Sequence, residues 1–283
     1  MKVLITGSSG FIGKHLVKFL KSKKIAVVPF DLVTGQDLFD KKTLDELIRE
    51  VDYIIHLAAI GDVYQAEKNP QNALKTAILG TQNLIEVANK YTIKKIIYAS
   101  TWEVYGKPIY QPLDENHPCN PIHPYSIAKL GGELVIRSVF NKIPWIILRL
   151  GTVYGPNMRS HAVIPLFINN ARKKKPIIIH GSGNQLRQFT YIDDINQAFL
   201  LAIKTKIINK TFNIVSPECV SIKEIANLIA NKFPVTIKTT ATRVGDPPSA
   251  VVSSDKARKI LGWNSKINIK QGINMLINFF TGY

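Results

Sequence analysis

The chain has 283 residues, 46% apolar and 20% charged, a balance that supplies a real core and excludes intrinsic disorder. Lys and Arg number 37 against 20 Asp and Glu, a formal charge of +17, but the lysines are scattered along the chain. The one dense run, Arg172 to Lys175, ends an apolar-periodic stretch where cations suit a helix C-terminus. No nucleic-acid partner is expected; steering of anionic small ligands is. Cys119 and Cys219, with no CxxC pair, exclude a disulfide scaffold and a cysteine zinc site, and the scattered histidines give no metal-ligand spacing. With no signal-like leader or apolar run of bilayer length, a cytoplasmic protein without a membrane span is expected.

In chain order, Lys2 to Ile5 reads as a buried strand, Phe11 to Lys21 as a helix and Ile25 to Phe30 as a second strand. A helix over about Lys41 to Glu50 leads to a strand at Tyr53 to Leu57, and a long helical region runs from about Pro70 to Lys90. A strand at Lys95 to Ser100, a helix from about Pro124 to Phe140 and a strand at Trp145 to Leu150 follow. Strict alternation of strand and helix implies a parallel sheet covered on both faces. After Pro156 the pattern loosens: a helix near Ala162 to Lys174, a short strand at Ile177 to His180 and a helix after Asp194. A strand at Thr211 to Val215, a helix at Ser221 to Lys232 and a last helical stretch from Ile269 complete the chain.

Directly after the first strand stands Thr6-Gly7-Ser8-Ser9-Gly10-Phe11-Ile12-Gly13. Gly7, Gly10 and Gly13 permit a tight turn, a close approach of backbone to a pyrophosphate and close packing of helix on strand, while the helix start offers unpaired N–H groups to an anion. Asp31, at the end of the second strand, can accept from an adenosine ribose and repel a 2′-phosphate, which favours NAD over NADP. Further on, Tyr125 and Lys129 stand at i and i+4 in Pro124-Tyr-Ser-Ile-Ala-Lys, on one helix face. An ammonium beside the phenol, with the positive nicotinamide ring, lowers the tyrosine pKa and makes Tyr125 a candidate acid/base.

Three segments, TGSSGFIG, the HLAA at His56 to Ala59 and GTQNLIEVA from Gly80, resemble the cofactor-binding half of the extended short-chain dehydrogenase/reductases, specifically the NAD-dependent nucleotide-sugar epimerases and dehydratases. The resemblance implies that Phe11 and Ile12 belong to the NAD loop, that Asp37 and Leu38 lie near the adenine, and that Leu57, Ala58 and Ala59 run along the ribose and pyrophosphate. Ala77 departs from the family's usual Asn. His56 is read as a structural histidine at a strand end. Ser100-Thr101-Trp102-Glu103-Val104-Tyr105-Gly106 matches the family's S[ST]xxVYG. It places Ser100 at the cofactor and makes Thr101, Tyr125 and Lys129 the catalytic set. Trp102 stands where dehydratases carry an acid and walls the sugar pocket; Glu103 either acts as a base near C5 or holds a loop.

Farther along, Arg149-Leu-Gly-Thr-Val-Tyr-Gly-Pro, the stretch Gly181 to Asp194 and Arg243-Val-Gly-Asp-Pro resemble the family's substrate motifs, as Leu261-Gly-Trp263 resembles its closing one. They imply Thr152, Arg187 and Arg243 at the substrate diphosphate and Asp246 at its ribose. Cys119, in a turn-rich loop, is read as structural. The implied fold is α/β, a Rossmann-type doubly wound parallel sheet with a smaller C-terminal substrate-binding cap. Residues 1–157, completed by about 188–215, form the NAD domain, and 158–187 with 216–283 form the cap. The implied activity is C4 epimerisation of a nucleotide-diphosphate sugar through a 4-keto intermediate, in a homodimer resembling UDP-glucose 4-epimerases and needing no metal. A 4,6-dehydratase or UDP-glucuronate decarboxylase using Glu103, and a non-enzymatic NAD-sensing module, are the alternatives.

Overall fold

Apolar runs such as Val3-Leu4-Ile5 and Ile96-Ile97 have no polar alternation, so they fit only a sheet covered on both faces, and there they lie fully buried. The computed structural model describes residues 1–138, 142–241 and 250–282. Its first half runs β1 (Lys2–Thr6), α1 (Phe11–Ser22), β2 (Ala26–Phe30), α2 (Lys41–Ile48), β3 (Tyr53–His56) and a short α3 (Val63–Lys68). Then come α4 (Pro70–Leu74), a π-helical segment (Lys75–Gly80), α5 (Thr81–Ala88), β4 (Lys95–Thr101), a 3-10 turn (Trp102–Tyr105), α6 (Pro124–Arg137) and β5 (Trp145–Leu150). The long helical region expected from Pro70 to Lys90 is thus helical to Ala88, with a wider turn in its middle. The helix expected to reach Phe140 is described only to Arg137, and Phe140 itself lies outside the described residues.

The second half contributes β6 (Thr152–Tyr154), α7 (Val163–Arg172), β7 (Ile177–His180), β8 (Leu186–Tyr191), α8 (Ile192–Lys204), β9 (Lys210–Ile214), β10 (Cys219–Ser221), α9 (Ile222–Ala230), β11 (Ile237–Thr240) and α10 (Ile269–Thr281). The main sheet is parallel throughout, in the order β2-β1-β3-β4-β5-β9. This is a Rossmann-type doubly wound sheet. Alternation along β1 sends Val3 and Ile5 into one apolar cluster, with α1 and α8, and Leu4 into the other, with α2, α5 and α6.

Two small sheets, β10-β8-β6 and β11-β7, hold the other named strands among the described residues. Of these strands only β7 is foreseen from the sequence. The others are short or carry polar residues inside, as in Leu186-Arg-Gln-Phe-Thr-Tyr, so no apolar run marks them. The Leu-Gly-Trp turn near the chain's end ties down α8. Trp263, buried, donates its indole N–H to Asp194 O at 2.8 Å, and Asp194 Oδ2 accepts from Ser265 Oγ and from the backbone N–H groups of Lys266 and Ile267. No described helix is long and apolar enough to cross a membrane.

Candidate active site

The glycine loop closes against the HLAA segment. Gly7 has φ +72°, and a Cβ there would stand 2.8 Å from Ala58 N, so Gly7, Leu57 and Ala58 pack backbone to backbone. Gly10 precedes α1 with no side-chain cap, leaving the helix's first N–H groups free of side-chain acceptors, as an anion site requires. Asp31 Oδ2 accepts from Ser9 N at 2.8 Å and Oδ1 from Val33 N at 2.9 Å. Each carboxylate oxygen keeps capacity for another donor, such as a ribose hydroxyl. A cradle that a Cβ would fill, an uncapped helix start and a carboxylate with spare lone pairs fit a dinucleotide. Leu38 is buried with its side chain under Gly80, and Asp37 is exposed, accepting from Phe39 N. Phe11 and Ile12 are partly buried against the sheet, and Ala59 follows Ala58 at the rim.

Behind this loop runs a buried polar chain whose direction is fixed. Ala58 N–H donates to Thr6 Oγ1 at 3.2 Å, and Thr81 Oγ1–H donates to Ala77 O at 2.6 Å. Thr81 can therefore only accept from His56 Nε2–H at 2.9 Å, and Thr6 Oγ1–H donates to His56 Nδ1 at 2.6 Å. Burial pushes the imidazole pKa down to about 3 and the nearby Lys129 charge adds to this, so His56 is a neutral, structural histidine, as expected. The chain ends at Ala77, inside the π-helical segment.

Thr101 sits at the carboxyl end of β4, its Oγ1 accepting from Glu103 N at 3.3 Å, and α6 brings Tyr125 and Lys129 to the same place. Tyr125 is partly buried against Ala66, Ala73, Ala77 and Ala128. Its pKa is the first correction. Burial and the Glu103 carboxylate push it well above the usual phenol value, and a hydrogen bond with Thr101 opposes them. The chain's own residues hold Tyr125 as a phenol. Lys129 is buried, its Nζ donating to Ala99 O at 2.8 Å, and burial lowers its pKa to about 8 against the pull of Glu133.

Sequence reasoning missed Glu133, Arg149 and His123. Glu133, fully buried, is one turn past Lys129 on α6. Its Oε1 accepts from Ser100 Oγ at 2.5 Å and Arg149 Nε at 2.9 Å, and its Oε2 from Arg149 Nη2 at 2.7 Å and Arg137 Nη2 at 2.9 Å. Ser100, predicted for the cofactor, thus gives its hydroxyl hydrogen to Glu133. Arg149 lies 4.7 Å over the Tyr105 ring and donates to Cys119 Sγ at 3.1 Å. Burial pushes the Cys119 thiol up against that guanidinium, in keeping with a structural cysteine. The continued spacing Tyr125, Lys129, Glu133, Arg137 was the available signal. His123, not a common capping residue, caps α6: Ser126 N–H donates to its Nδ1 at 3.2 Å, and its Nε2 stands 3.2 Å from Glu103 Oε2.

On the substrate side, Trp102, Thr152 and Arg187 line one narrow cavity with Gln188, Val215 and Val252. Trp102 packs against Tyr105, Leu113, Val215, Ala250 and Val252. Gln188 straps this wall together, accepting from Val252 N at 2.7 Å and donating to Ser216 O at 2.9 Å. Arg243 and Asp246 lie outside the described residues. Among the described residues no three His, Cys, Asp or Glu side chains gather as a metal site would need.

The model of the NAD dependent epimerase/dehydratase family matches residues 3–215. A Methanocaldococcus jannaschii protein named "Putative UDP-glucose 4-epimerase" is 35% identical over 98% of this chain and 97% of its own. The solved UDP-glucose 4-epimerase of Thermotoga maritima, with UDP-glucose, superposes with a TM-score of 0.94 at 27% identity, over 100% of this chain and 99% of that one. The UDP-glucuronic acid 4-epimerase of Bacillus cereus, with UDP-glucuronic acid and NAD, gives 0.90 at 30% identity over 100% and 99%.

Proposed function

The chain belongs to the NAD dependent epimerase/dehydratase family, and from that premise we propose that it inverts C4 of a UDP-hexose through a 4-keto sugar. The observation that carries this reading is the meeting of Thr101, Tyr125 and Lys129 at the carboxyl end of β4, where α/β sheets place their ligands, beside a cavity lined by Trp102, Thr152 and Arg187. The cofactor is NAD. Gly7, Gly10 and Gly13 with the start of α1 hold its pyrophosphate, Asp31 its adenosine ribose, and Lys129 its nicotinamide ribose. When bound it supplies a reversible two-electron acceptor for the sugar C4 carbon.

Within that frame each side chain has one task. Tyr125, ionised to the phenolate once the positively charged cofactor is bound, takes the proton of the C4 hydroxyl and later returns it to the C4 oxygen, so a turnover consumes no net proton. Thr101, hydrogen-bonded to Tyr125, orients that oxygen. Lys129, buried and fixed on Ala99 O, keeps a positive charge at the base of the site. Arg187 takes phosphate oxygens on its planar fork. Trp102 closes the sugar side against water, and its indole N–H cannot protonate a leaving hydroxyl at neutral pH, which favours epimerisation over dehydration.

The same reading assigns 1–157 and about 188–215 to the NAD domain, supported by β9 pairing with β5 and α8 packing on α1. Residues 158–187 and 216–283 are then the cap. A homodimer fits the exposed apolar residues Leu79, Ile127 and Leu134, the last two one stripe of α6. The two unpaired cysteines suit the reducing cytoplasm. Incubating the protein and NAD with UDP-, dTDP- and GDP-sugars and following the products by NMR tests the activity. A C4-inverted sugar of unchanged mass supports epimerisation; loss of water or carbon dioxide replaces it with the dehydratase or decarboxylase reading.

A further inference from the structure

His123 and Glu103 lie on separate segments yet meet beside Tyr125. His123 Nδ1 accepts from Ser126 N–H, so its ring proton sits on Nε2, the nitrogen 3.2 Å from Glu103 Oε2. That oxygen is buried and accepts no aligned hydrogen bond, an approach of the kind that tightens in a bound complex. The His123 and Tyr125 rings are nearly parallel, 11° apart with centroids at 6.1 Å. Glu103 in turn donates its N–H to Thr101 Oγ1.

We propose that His123 is a positioning residue for the acid/base step: fixed at the start of α6 through Nδ1, it keeps the Glu103 carboxylate beside Tyr125 and so governs how readily Tyr125 releases its proton. Among the groups facing Tyr125, Thr101 favours its ionisation and Glu103 opposes it. Lys129 on its own helix is engaged with Ala99 O, Tyr98 on β4 is a phenol that burial keeps protonated, and α3, α4 and the π-helical segment present Ala66, Ala73 and Ala77. A carboxylate held against a phenol favours the protonated form, in line with the raised Tyr125 pKa, where burial acts first and Glu103 adds to it. The proposal deepens the epimerase reading and shares its choice of Tyr125.

The test compares three variants of the NAD-loaded protein. Tyr125 ionisation is read from the near-ultraviolet tyrosinate absorbance, with Tyr125→Phe as the blank. His123→Asn retains an oxygen that caps α6 and loses Nε2; His123→Gln retains the reach toward Glu103 and loses the cap. Glu103→Gln and His123→Asn should each lower the ionisation midpoint by about one pH unit, and together by no more than either alone. The acid limb of kcat should move with them. His123→Gln should keep the wild-type midpoint while lowering Tm by roughly 2–4 °C. A wild-type midpoint in His123→Asn, with Glu103→Gln shifted, reduces His123 to a helix cap and overturns the proposal; so does a wild-type midpoint in both. The titration needs no sugar, so its outcome is separate from the test of epimerisation.

Discussion

The two ends of the inner face of α6 solve opposite problems. At the Glu133 end, a carboxylate inaccessible to solvent accepts four hydrogen bonds, three of them from two guanidinium groups. At the Tyr125 end, the phenol is only partly buried, Glu103 Oε2 accepts no aligned bond, and the cavity wall begins. The saturated Glu133 carboxylate serves the fold, whereas the Glu103 carboxylate beside the cavity keeps an acceptor free. The same division separates His56, saturated by two threonines, from Asp31, which retains lone pairs. A substitution at a closed group should therefore appear in stability, and one at an open group in binding or turnover.

The open end makes the largest claim. Tyr125→Phe should lower kcat by a hundred- to ten-thousandfold and leave the melting temperature nearly unchanged, measured by sugar turnover and thermal unfolding. Next, Glu133→Ala leaves Arg149 buried and unpaired, and urea unfolding should show a loss of about 3–5 kcal/mol. A loss below about 1 kcal/mol would mean that the network is no tighter than a surface pair, and the contrast between the two ends would collapse. On the proposed placement of Asp31 at the adenosine ribose, its carboxylate would repel a 2′-phosphate, so calorimetry should find NADP bound about tenfold to several hundredfold more weakly than NAD.

His56 carries the smallest effect per unit of change. Its folded pKa, about 3, lies below the ordinary 6.5, so between those values the unfolded chain binds the additional proton. Stability from this group is fully present above about pH 6.5 and is lost as pH falls toward 3, at about 1.4 kcal/mol per pH unit. His56→Gln should flatten the pH dependence of unfolding between pH 6 and 5; an unchanged slope would place the acid sensitivity elsewhere.

What could be read from the sequence follows how local each signal is. The β1, α1 and β2 segments and the glycine loop announce themselves within thirty residues, through apolar runs and a glycine spacing with one mechanical purpose. Tyr125 and Lys129 are likewise visible because i and i+4 share a helix face. Glu133 and Arg149 join only through the register that sets Ser100 opposite Arg149 on β4 and β5, a relation that neither segment encodes alone. His123 meets Glu103 across some twenty residues of loop. The small-sheet strands other than β7 escape notice because β11 finds β7, and β6 finds β8, by tertiary pairing. The expected lowering of the Tyr125 pKa counted a neighbouring charge and omitted burial, the larger influence here.

The sixth strand of the main sheet has a consequence for how the chain assembles. Strand β5 ends at Leu150, and its neighbour β9 begins only at Lys210, after β6 to β8, α7 and α8 have been laid down. Closing a connection of this length is entropically modest, since each doubling costs only about 0.6 kcal/mol, but it is slow, because the pairing is non-local. Until β9 arrives, β5 is an unpaired edge with open N–H and C=O groups. During synthesis the nucleotide half therefore waits with one flank bare for the ribosome to deliver residues 210–214, and chains released before that point should aggregate in a pelleting assay where chains extended past β9 stay in the supernatant.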